Sequence, residues 1–201
     1  YDDITVSVAP NTKKGVELTR DETVRGDSTP ETLAGLRTVF RSGDNATVTA
    51  GNASPMNDGA SAVWLGSERG AQLLGREPIA RIAGRGAAAN EPQYFGEAPV
   101  EAANIAVRRA GITWDDVAAV ELNEAFAAQA LAVLDAWGIS EDDPRVNPVG
   151  SGISLGHPVG ATGARMLVTA AHELQRTDAS RALVTMCIGG GQGLAAVIEK
   201  V

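Results

Sequence analysis

The sequence predicts an α/β domain with helices layered on a sheet, and three observations carry that prediction. From about residue 77 onward, apolar runs of strand length alternate with segments of helical periodicity. Ala and Gly are plentiful while aromatic residues make up only 4% of the 201 residues, which suits close helix-on-sheet packing. The chain closes on two apolar runs, 182–188 and 194–201, joined through "GGGQG", the pattern of a hairpin.

In chain order, residues 1–50 hold much of the charge, with short strands expected at 4–8 and 16–18. A helix follows in "STPETLAGLRTVF". There Ser28 or Thr29 can cap, Pro30 fits the first turn, and Leu33, Leu36, Val39 and Phe40 share a face. "SGDNA" ends it as a loop. "TVTAGNASPMNDGASAVWLGS" reads as a strand, a polar turn and a second strand. Next come a strand at 79–89, a loop "NEPQYFGEAP", and a helix at 100–110 stopped by Gly111. A strand at 117–122, a helix at 124–137, a glycine-rich loop and a helix over 160–175 complete the domain.

Composition narrows the function classes. Hydrophobic residues are 44% and charged residues 21%, ordinary for a globular protein. A net charge of −8 removes the electrostatic footing for nucleic-acid or membrane-surface binding. No apolar run of about eighteen residues suggests a membrane span. The single Cys cannot form an intrachain disulfide and suits a reducing, cytoplasmic setting. The opening "YDDITVSV" has no basic or apolar leader pattern and reads as the interior of a longer chain.

Two glycine-rich loops hold the distinctive chemistry. "VNPVGSGISLGHPVGATGA" contains His157, one of two histidines, and "MCIGGGQG" contains Cys187. Glycines let a ligand approach the backbone, and a helix start offers N–H groups to an oxyanion. The plain alternative for His157 is a structural residue in a turn. A P-loop is not met, because no Lys-Ser/Thr follows, and the G-x-G-x-x-G order is absent. Cys187 ends an apolar strand beside Gly189, Gly190 and Gly191, where a thiolate can act and an oxyanion can be held; a buried, inert thiol is the alternative. Asn123 and Glu124 in "VELNEAFAAQ" stand at a strand-to-helix junction, where α/β proteins place site groups and where Asn also serves as a routine cap.

Together and in this order, "TVTAGNAS", "NDGA", "ELNEAFAAQ", "VNPVGSGISLGHPVGATGAR" and "MCIGGGQG" resemble the sequence blocks of the thiolases, over nearly the whole chain. "DETVRGDSTPETLAGLRTVFR" resembles the stretch before them. The resemblance implies a layered α/β/α domain with a mixed sheet and reversible cleavage of a 3-ketoacyl-CoA by CoA into acyl-CoA and acetyl-CoA. Coenzyme A is then a substrate, and no metal or further cofactor is implied. By the same resemblance Cys187 is the acid/base thiol and His157 helps bind the thioester oxygen. Asn123 holds a water completing that oxyanion hole, and Gly189 lends its backbone N–H to a second one. Ala53, Ser54, Phe40 and Phe126 resemble the pantetheine channel, and Phe95 stands near the acyl pocket, where many relatives carry Met.

The family's nucleophilic Cys lies in a first half that this chain does not contain. The chain thus resembles the C-terminal portion of a thiolase: 1–50 as the end of the loop domain, 51–76 as the last segment of the N-terminal half, and 77–201 as the C-terminal domain. A second departure is "GSGIS" where the family usually shows Gly-Gly-Ala-Ile-Ala. The implied partners are the missing half and further copies in a homodimer or homotetramer. Rival readings are a non-catalytic CoA-binding module, a structural domain, or a sterol-carrier-type relative. Retention of Asn123, His157 and Cys187 together speaks for the enzyme.

Overall fold

Four strands make one mixed sheet in the order β1-β4-β3-β2: β1 (Ala80–Ala89), β2 (Ala119–Leu122), β3 (Arg181–Ile188) and β4 (Gln192–Lys200). The computed structural model describes residues 23–201, and the two strands expected at 4–8 and 16–18 lie outside the described residues. β2 runs parallel to β3, while β4 is antiparallel to both β3 and β1. The expected closing hairpin is therefore β3–β4, turning through Gly189–Gly191. Gly190 and Gly191 take positive φ there, which costs a glycine nothing.

Helices cover both faces. α3 (Ala98–Ala110) and α4 (Ala127–Trp137) pack on one side, where Ala102, Ala103, Ala106, Val133 and Leu134 meet Val120, Leu122, Leu183 and Val197. α6 (Thr162–Thr177) lies on the other, where Met166, Ala170 and Leu174 meet Ala119, Ala182, Val184 and Ile198. Alternation along the strands sorts the two cores, since successive side chains point to opposite faces. Small residues bring α3 close: a Cβ on Gly86 would overlap the Ala102 carbonyl. The thiolase-like α/β/α class with a mixed sheet is present.

Several boundaries differ from expectation. α1 spans only Pro30–Ala34, capped by Thr29 as expected, and stops at Gly35. The chain falls into two compact units, Tyr1–Leu36 and Arg37–Val201. Val39 and Phe40 lie outside the helix; Val39 N–H bonds the Val48 carbonyl beside a lone Thr38–Thr49 bridge. The two strands expected in 47–67 are absent as strands. They gain only isolated bridges, and Trp64 and Leu65 stay exposed without a sheet neighbour. A strand needs a partner ladder, and apolarity alone does not supply one. A helix not anticipated, α2 (Glu68–Leu74), is capped by Ser67 and stopped by Gly75 in the left-handed region. The short α5 (Gly152–Leu155) sits inside the glycine-rich loop.

Candidate active site

The parallel pair β2–β3 ends where the chemistry gathers. Beyond β2 the ladder continues for one residue, with Asn123 N–H donating to the Thr185 carbonyl at 3.1 Å, two residues before Cys187. Asn123 is fully buried and does not cap α4, whose start lies at Ala127 behind Phe126. The capping explanation for Asn123 is thereby replaced. Its amide Nδ2 lies 3.3 Å from His157 Nε2. The residues 34 apart in sequence thus meet.

The loop carrying His157 is tied down from several sides. Asn147 Nδ2 donates to the Leu122 carbonyl at 2.9 Å and to Glu124 Oε1 at 3.0 Å, while its Oδ1 accepts from Leu122 N–H at 2.8 Å. Asn147 thus stands in for a ladder residue beside β2, in a left-handed conformation with φ 47°. Ser151 Oγ donates to the Leu122 carbonyl at 2.8 Å. Gly152 must be small, because a Cβ would come within 2.9 Å of Asn123 Oδ1 and 2.7 Å of the Glu124 carbonyl. The "GSGIS" variant keeps glycine at both Gly150, with φ 91°, and Gly152.

His157 itself is held at three atoms. Its N–H donates to Asn57 Oδ1 at 3.1 Å, and its Nδ1 lies 2.7 Å from Thr162 Oγ1. Thr162 donates its one hydroxyl hydrogen to the Pro158 carbonyl at 3.0 Å, so the hydroxyl accepts from Nδ1–H. This network assigns the neutral ring with Nδ1 protonated and Nε2 as the acceptor facing Asn123. Burial, then the positive charge of Arg165, lowers the His157 pKa and favours that neutral form. His157 is five residues before Thr162, the first residue of α6, and it is the Thr162 side chain that orients it.

Cys187 pairs with Gly193 near the end of β3 and is 8% exposed. Burial pushes its thiol pKa up, partly offset by a backbone hydrogen bond. The thiol is therefore held protonated. Gly189 follows the last ladder pair, Ile188–Gln192, and a Cβ there would meet nothing within 4 Å, so its backbone is open on that side.

A second cluster adjoins Asn123. Ala53 bridges Phe126, Ser54 N–H donates to the Ala125 carbonyl at 2.9 Å, and Ala127 N–H donates to the Asn52 carbonyl at 2.9 Å. Phe40 meets Phe126 edge-to-face at 5.8 Å and remains 70% exposed. Four of the five expected substrate-binding residues are thus joined. Phe95 lies on the 3-10 turn Pro92–Glu97, and no ring contact or hydrogen bond among the described residues brings it to that cluster. Sequence reasoning missed Asn57, Asn147 and Thr162 as site residues. Each lies inside a quoted motif, but an Asn or Thr reveals its partner only after folding.

Comparison with known proteins decides the family. Residues 76–200 match the family model described as the thiolase C-terminal domain, and residues 2–69 match that of the thiolase N-terminal domain. The chain belongs to the thiolase family. It is 50% identical over 200 residues to a beta-ketothiolase (BktB) of Cupriavidus necator, covering 100% of this chain and 50% of that protein. It is 48% identical over 198 residues to the 3-oxoadipyl-CoA/3-oxo-5,6-dehydrosuberyl-CoA thiolase of Escherichia coli, covering 98% and 49%. Among solved structures, the acetyl-CoA acetyltransferase of Bacillus anthracis matches with a TM-score of 0.86 at 39% identity, over 100% of this chain and 50% of that one. Human mitochondrial 3-ketoacyl-CoA thiolase matches with a TM-score of 0.85 at 38% identity, over 98% and 48%. This thiolase chain thus spans about half the length of the relatives it matches. No helix among the described residues is long and apolar enough to cross a membrane.

Proposed function

We propose that this chain supplies the acid/base half of a thiolase that cleaves a 3-ketoacyl-CoA with CoA, reversibly, to acyl-CoA and acetyl-CoA. The observation that carries the reading is the Asn123–His157 contact at 3.3 Å at the end of the parallel strand pair that also holds Cys187. The nucleophilic thiolate comes from a half absent here, since Cys187 is the chain's only cysteine. In the cleavage step that thiolate adds to the 3-keto carbon. The bond between C2 and C3 breaks, and its electron pair passes into the acetyl-CoA enolate. Cys187 Sγ–H protonates the enolate carbon, releasing acetyl-CoA. The Cys187 thiolate then takes the proton of incoming CoA–SH, whose sulfur displaces the acyl group from the enzyme. A buried thiol with a raised pKa suits both steps, as a reservoir of one proton that gives a strong base once emptied.

His157 and Asn123 act on the thioester oxygen. His157 with Nε2 bare takes the proton of the other half's nucleophilic thiol, and the resulting imidazolium, still donating from Nδ1 to Thr162, hydrogen-bonds the enolate oxygen. Asn123 Oδ1 is buried with no protein hydrogen bond, which supports a role as anchor for a bound water. Gly189 N–H serves the oxyanion of the acyl step. Phe40, Ala53, Ser54 and Phe126 form the pantetheine wall, and Phe95 sits toward the acyl end. We assign 1–50 to the loop domain, 51–76 to the N-terminal half and 77–201 to the C-terminal domain.

The missing half also accounts for exposed apolar side chains on the second unit. Met56, Trp64, Leu65 and Val159 are all more than two-thirds exposed, a pattern that calls for a covering partner. The assembled protein is a homodimer or homotetramer, in the cytoplasm. The decisive test is Cys187→Ser in the assembled enzyme. Turnover falls while acetyl transfer to the other half's cysteine persists; unchanged turnover would refute the assignment.

A further inference from the structure

One charged pair lies buried behind the site and is used by none of the steps above. Glu121 is 1% exposed on β2, two residues before Asn123, and points to the face covered by α6. Ala119 on the same face packs among Met166, Ala170 and Leu174, so Glu121 enters the layer between β2 and α6. Its partner is Arg165 Nη1, 3.3 Å from Glu121 Oε2. Arg165 stands one turn after Thr162 on α6, and Thr162 is the residue that holds His157. Glu121 Oε1 and Arg165 Nη2 have no hydrogen-bond partner.

The geometry points to Glu121 and Arg165 as positioning residues that clamp α6 to β2 and so set the Asn123–His157 contact. Every link is on one path. Asn123 follows Glu121 on the strand, Arg165 follows Thr162 on the helix, and Thr162 Oγ1 holds His157 Nδ1 at 2.7 Å. Stability alone does not explain the pair, because burying two charges costs more than an apolar pair of similar size, and such replacements are often neutral or stabilising. What the pair offers is a fixed distance between two elements, where apolar side chains would let the helix slide. The charge of Arg165 also bears on the ring, being the second cause, after burial, of the lowered His157 pKa. The other charged groups near Glu121 are Glu173 on α6 and Glu124 in the strand-to-helix loop; Glu173 is itself paired with Arg176 at 2.6 Å. The inference rests on His157 acting as proposed above, and its test separates the two.

The chain has two histidines, His157 and His172, so ¹⁵N imidazole NMR of this chain, labelled and joined with its other half, reads the clamp directly without turnover. The variants are Arg165→Met and the double variant Glu121→Leu/Arg165→Met, which replaces the pair with apolar groups. In the double variant we expect a melting temperature at or above the parent's. His157 signals move and its titration shifts upward, while His172 is unmoved. In the assembled enzyme the same variant loses at least about tenfold in kcat, equivalent to about 1.4 kcal/mol, with KM for the CoA thioester unchanged. Unmoved His157 signals or an unchanged kcat overturn the inference, as does a kcat that falls only in step with lost folded protein. A parent enzyme inactive in thiolysis would instead defeat the functional reading and leave the NMR result standing.

Discussion

In the proposed reaction Cys187 and His157 serve one transition state through different atoms, and their variants should differ accordingly. Cys187→Ser replaces the thiol by a group that does not ionise near neutrality, so turnover in the assembled enzyme should fall by about 10²–10⁴, the range for a positioned proton-transfer group. Steady-state thiolysis measures it. His157→Ala should cost on the order of 3 kcal/mol of oxyanion stabilisation, with CoA affinity little changed. Combined, the two losses should be far from additive. A third residue-scale expectation concerns Glu121, whose carboxyl is pushed up to about 7 by burial, which outweighs the opposing attraction of Arg165. The folded protein binds that proton more tightly than the unfolded chain. The stabilisation is therefore complete below the unfolded value of about 4.5 and is lost as pH rises through about 7. The loss is on the order of 3 kcal/mol. Urea unfolding at several pH values should show this decline, and Glu121→Gln should flatten it.

At the scale of elements, the clearest test is the seat of α3 on the sheet. Gly86→Ala would drive a methyl into the Ala102 carbonyl, and the helix cannot withdraw without opening the core it shares with Val120 and Leu183. A loss of about 3 kcal/mol is expected from that overpacking. Gly66→Ala, with nothing within 4 Å of its Cβ, should be near neutral in the same denaturation experiment. The elements that sequence reading placed well are those whose periodicity, stop signal and packing agree. α3 ends at Gly111 with φ 70°, and β3–β4 turns at Gly189–Gly191. Glycine clusters around one of two histidines and the only cysteine mark the candidate site loops in the sequence, where a structural His and an inert buried thiol fit the same pattern. Phe40 matches a helix face by its spacing, but Gly35 ends that helix before it. The runs in 47–67 have the apolarity of strands, which says nothing of a pairing partner. The hold of Thr162 on His157, and of Asn147 on β2, depends on folding that brings distant backbone together, and no local pattern records it.

For the whole molecule, the proposal is that this chain carries the acid/base and oxyanion groups of a thiolase and depends on another half for the nucleophile. The 201-residue chain alone should form no acyl-enzyme and show negligible thiolysis. Light scattering should find it joined with that half in a dimer or tetramer, its exposed Trp64 and Leu65 covered. A folded, soluble monomer would count against that assembly. The measurement that reaches the claim most directly is intact-mass analysis of the assembled enzyme carrying Cys187→Ser, after incubation with acetyl-CoA. One acetyl group is expected to stay on the other half and none on this chain, because the nucleophile is intact and its proton partner is gone. An acetyl group on this chain in the parent enzyme, lost in Cys187→Ser, would make Cys187 the nucleophile and contradict the account.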